Sequence, residues 1–230
     1  MSNNRKAWFK GYKGLIKIFK KRTKFKYLEG EITTPSLILS NHVGTSAPLS
    51  FELYLDKPIR FWGASEMNSG LKSLYKYQSE VFYHEKRVWN IHLAKLFCLI
   101  ASPLTNLFYK GLNLISTYRD VRFINTLKES LEAVKNGQNI VIFPEISDKG
   151  YLDKLEGFHN GFLSFLKYAY KNGIDLPIYV TYFHKKSKVH MVDAPIKFSE
   201  LLKISDNYEI LSNYLCDRCN KLGEMCLENK

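Results

Sequence analysis

Leu37, Ile38 and Leu39 form an apolar run that Ser40 and Asn41 break. His42 follows at once, ahead of the small-residue turn Gly44-Thr45-Ser46-Ala47-Pro48. The exit of a buried strand is where α/β proteins often keep catalytic groups. A neutral imidazole near pH 7 is the side chain best matched to taking a proton from a hydroxyl. Three further segments set polar groups against apolar runs: residues 113–120 (NLISTYRD), residues 140–150 (IVIFPEISDKG) followed by 158–162 (FHNGF), and residues 175–183 (DLPIYVTYF). Each alone has an ordinary explanation: a structural histidine in a turn, a surface ion pair for Arg119, a proline that ends a strand before Glu145.

The elements that must position these groups alternate. The pattern predicts strands over 36–40, 58–62, 112–116, 139–143 and 177–183. It predicts helices over 47–55, 68–78, 88–110 with a break, 121–136, 158–172 and 206–228. In helix 121–136, Val121, Ile124, Leu127, Leu131 and Val134 share one face, and Asn136-Gly137 is a C-cap pair. Alternating β and α units with apolar strands imply an α/β fold: a mixed, mostly parallel sheet flanked by helices. His42 and Glu145 each end a strand of that sheet, so both are expected to face one pocket.

Of 230 residues, 45% are hydrophobic and 24% charged, which excludes a disordered chain. Residues 1–30 carry ten bases against the acid Glu29, and so hold nine of the twelve net positive charges. There Trp8, Tyr12, Leu15, Ile16 and Phe19 recur at helical spacing with lysines between them. A basic amphipathic helix of this kind suits an anionic membrane surface, and residues 1–30 are read as a membrane-associating segment ahead of an α/β domain over 31–230. The alternative is a helix packed on the domain with a solvated basic face. No nucleic-acid motif accompanies the run, and nucleic acid is not expected as a partner.

Cys216, Cys219 and Cys226 have C-x2-C-x6-C spacing without an obvious fourth ligand nearby. With Cys98 they are read as reduced thiols rather than a zinc site, which fits a cytoplasmic setting. No metal or redox cofactor is expected. No apolar h-region follows the basic start, so no secretory leader is expected. No window reaches ~18 consecutive apolar residues, so no transmembrane helix is expected. The nearest candidate, residues 91–115, is read as a buried helix, a turn at Pro103 and a second helix. Its alternative is an apolar surface touching lipid or an acyl chain.

Taken together and in this order, the four segments resemble the glycerolipid acyltransferase family, the lysophosphatidic-acid acyltransferase-like enzymes. That family carries Asn-His with an aspartate five positions after the histidine, then a segment ending in arginine. Phe-Pro-Glu-Gly-Thr-Arg follows, then Phe-Lys-x-Gly and an apolar segment with proline. The resemblance spans about residues 35–185. It implies a peripheral enzyme of phospholipid biosynthesis at the inner face of a membrane. Such an enzyme moves a fatty acyl group from acyl-CoA or acyl-carrier protein to a hydroxyl of a glycerolipid or related lipid precursor. It makes His42 the catalytic base, and Arg119, Glu145, Ser147, Lys149 and Gly161 the residues that hold the acceptor. Phe158 and Pro177 also fall on family positions.

Two departures stand out. Ala47 occupies the aspartate position, and Ile146, Ser147 and Asp148 stand where Gly, Thr and Arg are expected. Lys149 could compensate for the lost arginine, though a lysine is not a bidentate fork. For His42, a carboxylate from Glu52, Asp56 or Glu66 could replace the aspartate. A hydroxyl of Thr45 or Ser46, or a backbone carbonyl, could orient the ring instead. In the remaining reading, chemistry is lost and the protein is a non-catalytic acyl- or lipid-binding protein of the same fold.

Overall fold

Side chains alternate across a strand, and that fixes which core each residue of the central strands enters. The computed structural model describes residues 5–146, 150 and 152–228. In β2 (Leu37–Ser40), Leu37 and Leu39 join one core and Ile38 the opposite one. In β5 (Asn139–Ile142), Ile140 and Ile142 take the first side and Val141 the second. Both strands are buried throughout, as parallel strands between two helical layers must be.

The other strands are β1 (Lys24–Tyr27), β3 (Ile59–Ala64), β4 (Ile115–Thr117), β6 (Pro177–His184), β7 (Val189–Val192) and β8 (Ile196–Lys197). They form one sheet in the order β1-β7-β6-β2-β5-β3-β4, and β8 pairs with the start of β6. Strands β2 to β6 are mutually parallel, while β7 runs antiparallel to β6 and carries β1 parallel to itself. The fold is therefore the expected mixed, mostly parallel α/β sheet. Strands β1, β7 and β8 lie outside the predicted set; they are short, and β1 sits in a lysine-rich stretch.

Helices α6 (Phe123–Lys135), α7 (Gly161–Lys171), α8 (Phe198–Ile204) and α9 (Tyr208–Glu228) cover the face that holds Leu37 and Leu39. In α6 the buried residues include Leu127, Leu131 and Val134, whereas Val121 and Ile124 are exposed. Cys216 and Cys219 of α9 are core residues here, and the Cys219 thiol donates to the Thr181 carbonyl at 3.2 Å. The opposite face is covered by α1 (Ala7–Phe19), α2 (Ser46–Tyr54) and α5 (Ile91–Leu112), which contribute Phe9, Phe51 and Leu112. Between β3 and β4 the chain forms α3 (Ser65–Asn68), α4 (Leu71–Lys76), a π-helical stretch over Tyr77–Lys86, and α5.

The expected turn at Pro103 is corrected: α5 runs unbroken through it. A mid-helix proline removes one backbone bond, and local packing must hold the helix together. Here Ser102 is fully buried and donates to Gln78 Oε1 at 2.7 Å. The expectation that this helix is buried is corrected too, because Leu96, Leu99 and Ile100 are 65, 61 and 75% exposed.

Residues 5–27 are tied into the same body. Phe9 is fully buried, and its ring lies where a side chain at Gly111 would have to go. The Arg5 guanidinium reaches Glu52 Oε2 at 2.8 Å, the Ile59 carbonyl at 3.0 Å and the Leu112 carbonyl at the end of α5. Lys13 meets the other Glu52 oxygen at 2.7 Å. Losing one partner of a buried ion pair costs on the order of 3–5 kcal/mol, because the other charge is left uncompensated.

A second internal anchor is His190 of β7, fully buried among Phe25, Phe51 and Phe183. Ser50 Oγ donates to the Ala47 carbonyl at 2.8 Å and so accepts from His190 Nε2 at 2.6 Å, which fixes the protonated nitrogen. Burial holds this imidazole down at about 3, against an ordinary 6.5. The unfolded chain therefore takes up a proton first, and the stability that His190 contributes is present above pH 6.5 and lost as pH falls towards 3. The expected slope approaches about 1.4 kcal/mol per pH unit in that window. Denaturant titrations from pH 4 to 7 should find it flattened in His190→Gln, which keeps a donor for Ser50 and does not titrate.

Candidate active site

The turn that carries His42 is fixed from both sides. The side chain of Asn41 makes a two-point bond to the β6 backbone: Oδ1 accepts from the Phe183 N–H at 2.7 Å, and Nδ2 donates to the Phe183 carbonyl at 3.2 Å. After His42 the chain reverses at Gly44, whose φ of 55° suits glycine, and its N–H returns to the His42 carbonyl at 2.7 Å. Helix α2 begins two residues later, at Ser46.

The exit of β5 is held by pairing with the segment before α7. The Ile146 N–H donates to the Gly157 carbonyl at 3.0 Å, and the His159 N–H to the Pro144 carbonyl at 2.7 Å. Between these bonds, Glu145 is buried and its Oε2 accepts from the His42 backbone N–H at 2.7 Å. Strands β2 and β5 are register neighbours, so their exits meet side by side. The Phe143 ring packs edge-on to the imidazole, with centroids 5.0 Å apart.

His42 and Glu145 both line a cavity of about 660 Å³, within the usual range of about 300–1,000 Å³ for ligand pockets. Thr45, His159 and Gly161 share its polar end. The remainder is mostly apolar and runs between β3, the helical insertion and α1, with Phe61, Met67, Tyr83, Leu104, Phe108 and Ile16 among its walls and Gln78 and Thr105 as polar exceptions. Thr117, the last residue of β4, also lines it. Arg119 is exposed two residues further on, close enough for its charge to act on the phenol of Tyr77, another lining residue.

The cavity thus brings His42, Glu145 and Gly161 together and leaves Arg119 outside its walls. A side chain at Gly161 would meet Phe123 only at an ordinary 3.7 Å, so space alone does not require glycine there. Ser147 and Lys149 lie outside the described residues. Of the carboxylates considered for the imidazole, Glu52 is engaged by Arg5 and Lys13. Asp56 precedes β3 and lies at the opposite, amino-terminal edge of the sheet, where it lines a separate cleft. Glu66 accepts from Ser65 on exposed α3. Ala47 is fully buried on α2.

Two site residues went unassigned in the sequence. Asn41 adjoins His42 but signals nothing by itself, because its partner lies 142 positions away. His159 was visible as a titratable residue inside FHNGF, next to glycine.

Burial pushes the Glu145 carboxyl up to about 6, while the backbone N–H groups of His42 and Leu152 pull it the other way. The folded state therefore retains a proton that the unfolded chain releases near 4.5. Glu145 should lower stability as pH rises from about 4.5 to 6, by about 2 kcal/mol in all. Glu145→Gln keeps an oxygen for the His42 N–H and removes the ionisation. Its stability relative to the parent should climb across that window in paired denaturation curves, and a flat difference would contradict the assignment.

The fold and cleft define an open-sheet α/β protein with its ligand cavity at the carboxyl ends of parallel strands, where such folds bind ligands. No family model matches the chain, and no curated protein matches its sequence. Among solved structures it is similar to the 1-acyl-sn-glycerophosphate (LPA) acyltransferase PlsC from Thermotoga maritima. The identity is 14% and the TM-score 0.49, over 95% of this chain and 88% of that one. A likeness of this degree assigns neither substrate nor activity.

Proposed function

We propose that the protein is an O-acyltransferase that moves a fatty acyl group from acyl-CoA or acyl-carrier protein to a hydroxyl of a glycerolipid or related membrane-lipid precursor. The observation that carries this reading is a titratable pair, His42 and Glu145, at the polar end of a cavity whose remaining walls are mostly apolar. An apolar chain fits the walls, and a hydroxyl and a thioester meet at the polar end. The His42 ring lines the cavity beside the Phe143 ring, with its Nδ1 buried.

In this mechanism the imidazole takes the hydroxyl proton as the oxygen attacks the thioester carbonyl. The C–S bond then breaks, and the departing thiolate receives the proton from the imidazolium. Glu145 acts as a positioning residue, since it holds the backbone of His42. Arg119, with its planar fork of donors, meets a phosphate on the acceptor at the cavity mouth; Ser147 and Lys149 are proposed to assist. The bases of residues 1–26 place the protein at the cytoplasmic, anionic face of a membrane, each adding on the order of 1 kcal/mol near that surface.

Ala47 and the engagement of Glu52 by Arg5 and Lys13 favour a second reading, a non-catalytic acyl- or lipid-binding protein. In serine proteases, spoiling the aspartate that orients the histidine costs about 10⁴ in rate. Thioester consumption with a panel of lysolipid and glycerol-phosphate acceptors separates the readings. The enzyme reading expects turnover that falls by about 10²–10⁴ in His42→Ala. Ala47→Asp should raise the rate where no other group already orients the ring, and leave it level or lower where one does. A binding protein gives no turnover in any of the three and retains acyl chains in His42→Ala, read by mass spectrometry of the purified protein.

A further inference from the structure

Helix α5 turns a continuous apolar stripe away from the protein. Leu93, Leu96, Ile100, Leu104 and Leu107 follow helical spacing on one face and are between 42 and 75% exposed. The opposite face carries the small residues Ala94, Cys98 and Ser102, all buried against the body, while Gly111 near the end of the helix is covered by Phe9 of α1. Large exposed apolar patches on soluble folds mark contact sites.

The charges around the stripe say what it meets. The 22 residues of α5 contain no acid, and their charged residues are Lys95 and Lys110. Lys95 lies 4.0 Å from Glu80. Helix α1 packs on the carboxyl-terminal part of α5 through Phe9 and Tyr12 against Phe108, which brings exposed Lys6, Lys10 and Lys17 alongside. Exposed Trp8, Leu15 and Phe19 extend the apolar surface. An apolar stripe flanked by lysines matches an anionic leaflet, with acyl chains against the stripe and headgroups against the lysines.

Length and composition would both let α5 cross a bilayer, since its 22 residues are apolar enough and rise about 33 Å against a core of about 30 Å. Its attachments exclude that. The Tyr75 hydroxyl donates to the Lys95 carbonyl, Ser102 to Gln78, and Arg5 to the Leu112 carbonyl. A helix held to its own domain near its start, at its middle and at its end has protein rather than lipid on that side. We infer that α5 lies in the plane of an anionic phospholipid leaflet as the main apolar anchor, with α1 supplying charge beside it. Leu104 belongs both to the exposed stripe and to the cavity wall, so the cavity borders the lipid surface.

The inference extends the membrane reading of residues 1–26 but rests on different side chains. The test uses full-length protein and vesicles of phosphatidylglycerol or phosphatidylcholine. Leu96→Glu/Ile100→Glu should bind phosphatidylglycerol vesicles at least tenfold more weakly at every salt concentration, with an unchanged circular dichroism spectrum. Lys6→Gln/Lys10→Gln/Lys17→Gln should weaken binding at low salt and flatten its salt dependence. Depth is read on a Cys226→Ser background, where Cys98, Cys216 and Cys219 are buried. Fluorescent labels on Leu93→Cys, Ile100→Cys and Leu107→Cys, quenched by spin-labelled lipids, should report one shallow depth. A depth maximum at position 100 with shallow ends means a spanning helix and overturns the inference. A concentration-dependent dimer whose labels escape lipid quenching overturns it in favour of a second copy. If the α5 variant binds like the parent while the lysine variant does not, the α5 anchor falls and the N-terminal reading stands. If neither loses binding, or the parent does not bind, both fall.

Discussion

One partly buried hydrogen bond joins the exits of the two central strands. The carboxylate of Glu145 accepts the backbone N–H of His42, and the rest of the site is arranged around that bond. A carboxylate out of water is costly, and its raised pKa records the cost. The bond is useful because it fixes a backbone, from which the imidazole then projects. The supports behind it are equally direct. Asn41 replaces a missing rung of the sheet with its amide, and the segment around Phe158 pairs with the β5 exit.

The layer opposite α6, α7, α8 and α9 depends on two buried polar clusters. Arg5, Glu52 and Lys13 bind α1 to α2, and Arg5 also reaches the end of α5 and the start of β3. His190 and Ser50 bind α2 to β7 inside an aromatic cage. Both clusters position the helix that begins four residues after His42, so the turn that carries His42 is framed by groups that do not line the cavity. Helix α5 is the exception to this tight packing. Its inner face is built of small residues and hydrogen bonds, and its outer face leaves leucines in water. A contiguous exposed apolar face of this kind marks a contact site.

The sequence alone determined the central parallel strands and the helices that flank them, but not strands β1, β7 and β8. Runs such as Leu37–Leu39 and 140–142 admit one periodicity, and their burial on both faces demands a parallel arrangement. It also led to the expectation that His42 and Glu145 share a pocket, because each ends a strand of one sheet; that the two strands are neighbours came from the structure. The concentration of charge in the first 30 residues was equally plain. Tertiary structure alone decided what those groups touch. Glu52 lies ten positions from His42 yet is drawn away by Arg5 and Lys13, and a buried charge goes to its nearest opposite charge whatever its sequence neighbours. Asn41 finds Phe183 across the sheet, a pairing that no local pattern encodes. The exposure of α5 was hidden for the same reason: an apolar helix reads alike whether protein or lipid covers it, and only the packed body reveals which face is left over.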